Sequence, residues 1–458
     1  MRMVLKAYMM SKKHIKKRLS SSQIILLGFV GVIFCGTFLL MLPWATAKRG
    51  GASFLDALFV ATSATCVTGL VTQDTATYWS LFGKIVILVL IQIGGLGVIT
   101  IAVSVARFSG RKIGLMQRST MQEAIAAPQM GGIVRLTGFI LKMVVLIEGL
   151  GALLLLPPMI TEFGVVKGIG YAVFHSISAF CNAGFDLMGV KEQYSSLTSY
   201  LGHPLINIVI MALIVVGGIG FLTWDDIRRN RLHLRRYRMQ SKVILSVTAI
   251  LLLVPAFYFY FCELGRPVWD GMSTGEKVFA SAFQSVTART AGFNTVDLSK
   301  LTESGQMIFI LLMLIGGSPG STAGGMKNTT FAVLFATAIA VFRRRPNAHI
   351  FGRRIPNDTA HYAATVLILY TVLFLAGGIF ISYQEGMPIM PALFEAASAI
   401  GTVGVTLGIT PGLSAASKLV LILLMFWGRV GGMTIVYAAL SYKHPYVSEF
   451  PQEKITVG

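Results

Sequence analysis

Charge is scarce in this sequence: only 13% of its 458 residues are Asp, Glu, Lys or Arg, about half the share of a soluble globular domain. So little charge cannot clothe several water-exposed domains, although the length would allow them. Acids are the scarcer sign, 19 against 39 Lys and Arg. Cysteine is rarer again. Cys35, Cys66, Cys181 and Cys262 show neither CxxC nor paired-His spacing, so neither a disulfide framework nor a zinc site is implied. There is no HExxH, no nucleophile elbow and no pair of carboxylates within an apolar run, which removes the usual grounds for reading an enzyme.

Long apolar runs are what the chain has instead. Hydrophobic residues make up 54% of it, gathered at 23–43, 81–106, 137–158, 205–223, 243–262, 305–342 (interrupted), 362–382 and 418–440. A bilayer span needs roughly 20 such residues at ~1.5 Å rise each, so eight spans are expected. A basic start, an apolar run and Ala45-Thr46-Ala47 imitate a cleaved signal peptide. The run exceeds the roughly 7–15 residues of a signal core, so the segment is expected to be retained.

The net charge of +20 is local. The polar stretches 1–22, 107–137, 222–242, 343–361 and 441–458 hold 26 of the 39 basic residues and 6 of the 19 acids, which leaves the remainder neutral. These stretches alternate with pairs of spans and therefore share one side. The positive-inside rule makes that side the cytoplasm of a plasma-membrane protein, with both termini in it. Basic clusters at 12–18, 228–238 and 343–354 read as topology signals beside anionic membrane lipid; docking of an acidic partner is the alternative, and nucleic acid is not implied.

Internal repetition is the most informative feature. Four stretches align: SATCVTGL from Ser63, SAFCNAGF from Ser178, VTARTAGF from Val286 and SAIGTVGV from Ser398. Their glycines, Gly69, Gly184, Gly292 and Gly404, are 115, 108 and 112 residues apart. Phe59, Phe174 and Phe394 stand ten residues before them; the third repeat has Ala282 there, with Phe283 beside it. Downstream recur Gly94-Gly95, Gly217-Gly218, Gly316-Gly317 and Gly428-Arg429, of which the glycines read first as positions where helices pack closely. Each repeat is thus a span, a half-helix too short to cross (54–65 or 391–400, for example), a glycine-bearing loop and a second span. Irregular backbone at membrane depth is tolerated only where protein buries it or it lines a water-filled cavity. The expected fold is an all-α membrane protein: four tandem span–pore-loop–span repeats around one central pore, with eight spans and four re-entrant pore helices. The units are a cytoplasmic segment (1–22), repeats at 23–106, 137–227, 241–342 and 361–442, and a tail (443–458).

A monovalent cation stripped of water needs several neutral oxygens around it, and rings of backbone carbonyls supply them without a charge that would trap it. Glycine lets the loop adopt conformations barred to other residues, and each half-helix would point its negative C-terminal end at the pore. The candidate filter is therefore Thr65, Cys66, Val67, Thr68 and Gly69; Phe180, Cys181, Asn182, Ala183 and Gly184; Ala288, Arg289, Thr290, Ala291 and Gly292; Ile400, Gly401, Thr402, Val403 and Gly404. Side chains such as Thr65, Thr68, Asn182, Thr290 and Thr402 are expected to pin these loops from behind. Asp74, Asp186 and Asp297 follow their glycines closely and would make the outer vestibule mildly negative, or else are ordinary solvated acids.

The second span of repeat 3 is broken by Gly316, Gly317, Ser318, Pro319, Gly320, Gly324 and Gly325, a density no helix carries cheaply. The stretch imitates a Walker A loop, but Met326 separates Gly325 from Lys327 and no strand precedes it, so nucleotide binding is rejected. A polar segment below the filter reads as a gate, comprising these residues with Lys327 and Arg429. Arg429 replaces the second glycine of the downstream pair, and an intramembrane Arg needs an interior partner, for which the broken loop is the candidate. Lys327 would add positive charge to the pore. Glu148, within an apolar run, reads as a buried structural partner.

With these motifs together, the chain resembles the Trk/Ktr/HKT superfamily of potassium and sodium transport proteins, most closely Ktr-type (KtrB-like) membrane subunits, from about 23 to 440. The resemblance implies that Gly69, Gly184, Gly292 and Gly404 line the ion path, that 316–330 is the gating loop, and that Arg429 is the family's intramembrane Arg. Sodium-preferring plant relatives carry Ser at the first glycine, so four glycines favour K⁺ over Na⁺ as the transported ion. Only about 22 residues before the first span favours the Ktr type. The resemblance also implies a homodimer with one pore per subunit and a cytosolic nucleotide-binding ring of RCK (KTN) domains, KtrA-like, as regulatory partner. A Na⁺-coupled secondary transporter, whose sites also use broken helices, and a Na⁺-permeable member of the same superfamily are the rival readings.

Overall fold

The computed structural model describes residues 19–108, 113–127, 129, 131–231 and 233–439. The basic cluster at 12–18 and the tail at 443–458 lie outside them. Repeat 1 comprises α1 (Ser21–Met41), the half-helix α2 (Phe54–Cys66), α3 (Leu81–Leu96) and α4 (Val98–Phe108), followed by the connecting α5 (Leu115–Ile125). Repeat 2 has α6 (Ile133–Phe163), α7 (Val165–Phe180), α8 (Pro204–Gly218) and α9 (Phe221–Asn230). Repeat 3 has α10 (Met239–Tyr258, extended by a π turn to Glu263), α11 (Thr274–Thr287), α12 (Glu303–Leu314) and α13 (Asn328–Phe342). Repeat 4 has α14 (Asn357–Glu385), α15 (Ile389–Ile400), α16 (Ala415–Val430) and α17 (Gly432–Ala439). One departure from all-α is a two-stranded hairpin, β1 (His349–Ile350) with β2 (Arg353–Arg354), between repeats 3 and 4. A polar, arginine-rich connection has no apolar stripe to hold a helix there.

Local chemistry fixes where these helices begin. Ser20, Ser53, Ser80, Ser273, Thr302 and Ser414 each accept a backbone N–H from the first turn that follows, satisfying donors that a helix start leaves orphaned. α1, α6, α10 with its π turn, and α14 are each long and apolar enough to cross a bilayer. They are only 28–33% buried over their apolar windows, with residues such as Leu146, Leu153, Phe257 and Ile368 facing outward. The half-helices reverse this pattern: from Val60 to Cys66, and from Ala396 to Ile400, every residue is buried. The buried C-terminal ends of the half-helices thus sit inside the more exposed long spans. Phe59, Phe283 and Phe394 are fully enclosed and Phe174 nearly so, so Phe283 fills in repeat 3 the place its aligned neighbour Ala282 cannot.

The second spans of repeats 1, 2 and 4, expected at 81–106, 205–223 and 418–440, are present as bent helix pairs. They bend by 98°, 96° and 94° between α3 and α4, α8 and α9, and α16 and α17. The turn falls at Gly97, Gly220 and Gly431, with φ of +85°, +90° and +90°, a region that residues with a Cβ rarely enter. Each stands three residues after the first glycine of its downstream pair. The equivalent position in repeat 3 is Pro319, whose ring locks φ near −65°. That quadrant cannot make the turn, and its chain runs instead through an irregular loop from Ile315 to Lys327.

Candidate ion pathway

Each half-helix ends three to five residues before its aligned glycine, so four C-terminal helix ends converge where the loops meet. All four glycines have positive φ, +102° at Gly69, +69° at Gly184, +86° at Gly292 and +93° at Gly404. Two residues before each stands a left-handed non-glycine: Val67 (+57°), Asn182 (+59°), Thr290 (+65°) and Thr402 (+51°). Three of these are β-branched, for which this region is a genuine outlier that surrounding structure must enforce. Left-handed residues spaced by two turn alternate peptide planes over, bringing successive carbonyls to one side of the strand.

The four loops close on one another. A Cβ added at Gly69 would stand 2.6 Å from Ala183 O, one at Gly184 2.8 Å from Ala291 O, and one at Gly292 2.7 Å from Val403 O; at Gly404 it would strike Thr68 O. Each glycine therefore abuts the carbonyl preceding the next repeat's glycine, in the order one, two, three, four and back to one. The geometry is a closed ring of backbone that leaves no room for side chains.

All twenty candidate filter residues are buried, but they divide in two. The last three of each five form the ring, whereas the first two lie against the second spans. A Cβ at Gly94 would collide with Thr65 O, one at Gly217 with Phe180 O and one at Gly428 with Ile400 O, while Gly95 makes room for the Cys181 thiol. The expected pinning by Thr65, Thr68 and Thr402 does not occur: their hydroxyls are buried without a hydrogen-bond partner. Among the five expected pins, Asn182 reaches furthest, its amide nitrogen donating to Phe180 O, Ile214 O and Thr322 Oγ1 at 3.2–3.3 Å. The work falls to residues that sequence reasoning quoted in the motif yet left out of the site. Ser63 and Ser398 accept from the Gly69 and Gly404 amides at 3.1 and 3.0 Å. Ser178 donates to Phe185 O at 2.7 Å, and Thr287 donates to Phe293 O. One turn earlier, His175 accepts from the Leu187 amide, Gln284 donates to Thr295, and Glu395 accepts from Thr406 and Thr410. The recurring hydroxyl six or five residues before the glycine was the available signal.

On one side of the ring a cavity of about 180 Å³ is lined by the four glycines with Asp74, Asp186, Tyr194, Asn294 and Thr406. Asp74 is largely spent on structure, accepting from Thr77 N at 2.9 Å and Tyr194 N at 3.2 Å. Asp186 is half-buried, and burial pushes its carboxyl up to about 7, aided by the charge of Asp74 and opposed by the Met188 amide. Asp297 does not line this cavity; it caps a turn and faces Lys300.

Against the other side lies the irregular loop of repeat 3. It is sewn to neighbouring spans by backbone: Ser318 N to Gly218 O (3.0 Å), Gly325 N to Gly428 O (3.1 Å) and Phe221 N to Gly320 O (2.7 Å). Three cations hold its carbonyls. Arg429 donates to Thr322 O and reaches Gly94 O and Gly95 O at 2.5 and 3.1 Å. Lys327 donates to Ala323 O and Gly324 O at 2.9 and 3.3 Å, and Arg289 to Gly316 O at 3.3 Å. Among the described residues none of the three has a carboxylate partner. Glu148 stands apart, accepting from Gln92 at 3.2 Å behind the second loop.

A membrane-embedded bundle whose four re-entrant loops form one backbone ring defines a cation transport protein. Residues 5–446 match the family model described as "TrkH: Cation transport protein", and the chain belongs to that family. It is 39% identical to the potassium/sodium uptake protein NtpJ of Enterococcus hirae, covering 98% of this chain and 99% of the relative. It is also 39% identical to the Ktr system potassium uptake protein B of Bacillus subtilis, covering 96% and 97%. The crystal structure of the potassium transporter TrkH from Vibrio parahaemolyticus superposes with a TM-score of 0.72 at 19% identity, over 94% of this chain and 86% of that one. These relatives are transport proteins, not enzymes.

Proposed function

We propose that the chain takes up K⁺ through the ring at Gly69, Gly184, Gly292 and Gly404, with repeats bounded as 23–106, 137–227, 241–342 and 361–442. The single observation that carries the reading is the closure of that ring, each glycine against its neighbour's carbonyl. Relatives named for potassium uptake, and in one case sodium, support these ions as the cargo. The segment 316–330, an irregular loop as far as Lys327 and the first turn of α13 beyond it, held by Arg429 and Lys327, is the gate. A cytosolic RCK (KTN) ring of the KtrA type biases it in a homodimer whose termini face the cytoplasm.

The test is tracer flux into proteoliposomes, comparing K⁺, Rb⁺ and Na⁺. The expected result is Rb⁺ uptake without any organic solute; a strict requirement for one would favour a coupled transporter, and equal Na⁺ flux a Na⁺-permeable member. Gly69→Ser should lower the K⁺/Na⁺ ratio about tenfold, a loss of about 1.4 kcal/mol of discrimination, because a side chain at φ +102° displaces Ala183 O. An unchanged ratio at normal expression rejects the filter assignment.

A further inference from the structure

Three residues before the filter glycine, the four repeats carry Cys66, Cys181, Arg289 and Gly401. Arg289 is the one charged residue in the four aligned stretches, and it is 7% exposed. A guanidinium has five N–H donors, and burying them unmatched is costly. Here Nη2 makes one bond, to Gly316 O at 3.3 Å, long for a charged donor, and Nη1 has no partner. Arg289 also lines a cavity of about 10 Å³ with Gly218, Thr248 and Gly317, roughly room for one water. Across it, Thr248 accepts from Asn328 Nδ2 at 3.4 Å, while Asn328 Oδ1 is buried without a donor. Gly316 and Asn328 bracket the irregular loop, so an unmatched donor is tied to the point where the loop leaves one helix and an unmatched acceptor stands where it enters the next. Elsewhere the loop already touches the filter, through Thr322 on Asn182 and Phe180 O and through Gly324 beside Thr402.

We propose that Arg289 is a positioning residue that couples the irregular loop to the third filter strand, so that the loop's position sets the preference for K⁺ over Na⁺. The guanidinium is tied to the loop at Gly316, and its backbone is three residues from Gly292. Displacement of Gly316 therefore pulls on the ring, and the unmatched donor gains carbonyls in the displaced arrangement. This coupling rests on the reading of the four glycines as the selective ring.

The experiment measures Rb⁺ and Na⁺ flux through the full-length protein in proteoliposomes. Arg289→Met should lower the Rb⁺/Na⁺ ratio severalfold, and Arg289→Lys should restore most of it. In a protein lacking residues 318–323, Arg289→Met should change the ratio less than about twofold, the non-additivity expected of groups acting through one another. If Arg289→Met does not fold, Arg289→Gln carries the same comparison. Equal loss of both fluxes at an unchanged ratio makes Arg289 merely structural and overturns the proposal, as does an undiminished effect without the loop. A wild-type protein carrying neither ion refutes the pore reading and this coupling with it; a selective wild type whose ratio ignores Arg289 refutes the coupling alone.

Discussion

Val67, Thr290 and Thr402 hold left-handed backbone that β-branched residues resist, at about 1–2 kcal/mol each. They hold it because the turns around them are tied down by Ser63, Thr287 and Ser398. The aligned glycines were legible in the sequence because only glycine meets both the φ and the close approach. The pins were not, because a hydroxyl's partner depends on the path by which the loop returns. Threonines placed inside the loop were the natural choice, yet the hydroxyls of Thr65, Thr68 and Thr402 have no hydrogen-bond partner. Asp186 yields a test at this scale. Its carboxyl, held at about 7 by burial first and Asp74 second, is charged above that pH and neutral below it. Lowering external pH from 8 to 6 should therefore weaken apparent K⁺ affinity. At roughly 8 Å and an effective dielectric of about 40, the lost attraction is about 1 kcal/mol, or roughly fivefold. Asp186→Asn should show the low-pH affinity at both values; a variant that keeps the wild-type pH response would assign it to another group.

At the scale of elements, the three bent spans and the one interrupted span are variants of a single design. The glycine density at 316–325 betrayed the interruption in advance. The bends escaped notice because a lone glycine in an apolar run reads as a packing position. Their common offset from the downstream pair, and Pro319 at that offset in repeat 3, were in the sequence unread. The irregular loop has carbonyls held by cations and no helix of its own, so a modest bias should shift its population. Deleting Ser318 to Ala323 should raise Rb⁺ flux about tenfold, if about 1.4 kcal/mol favours closure, and reduce dependence on a cytosolic partner. Arg429→Ala should act in the same direction by freeing Thr322 O. Tracer uptake with and without the partner checks both; lower flux in both variants at intact expression would make the loop a scaffold and not a gate.

Over the described residues, the long spans are mostly exposed and the C-terminal halves of the short half-helices buried, the reverse of a water-soluble bundle. Membrane placement and repeat count were legible because apolar length and period survive in sequence. The hairpin at 349–354 was not, since a polar connection has no periodicity to read. The clustering of basic residues supports an orientation that labelling can check. In a protein with Cys35 and Cys262, the two exposed native thiols, replaced by Ser, Leu234→Cys should react with an impermeant thiol reagent only from the cytoplasmic side. Gly50→Cys, where a side chain meets nothing within 4 Å, should react only from outside; reversed labelling would overturn the charge argument. The proline at position 319 has one more consequence. Three quadrants end in glycine corners and the remaining one carries an irregular strip; on the gating proposed above, the passage would shut like a door with a single leaf and not like an iris. Opening would then be one event, without the graded partial apertures that four independent leaves would give.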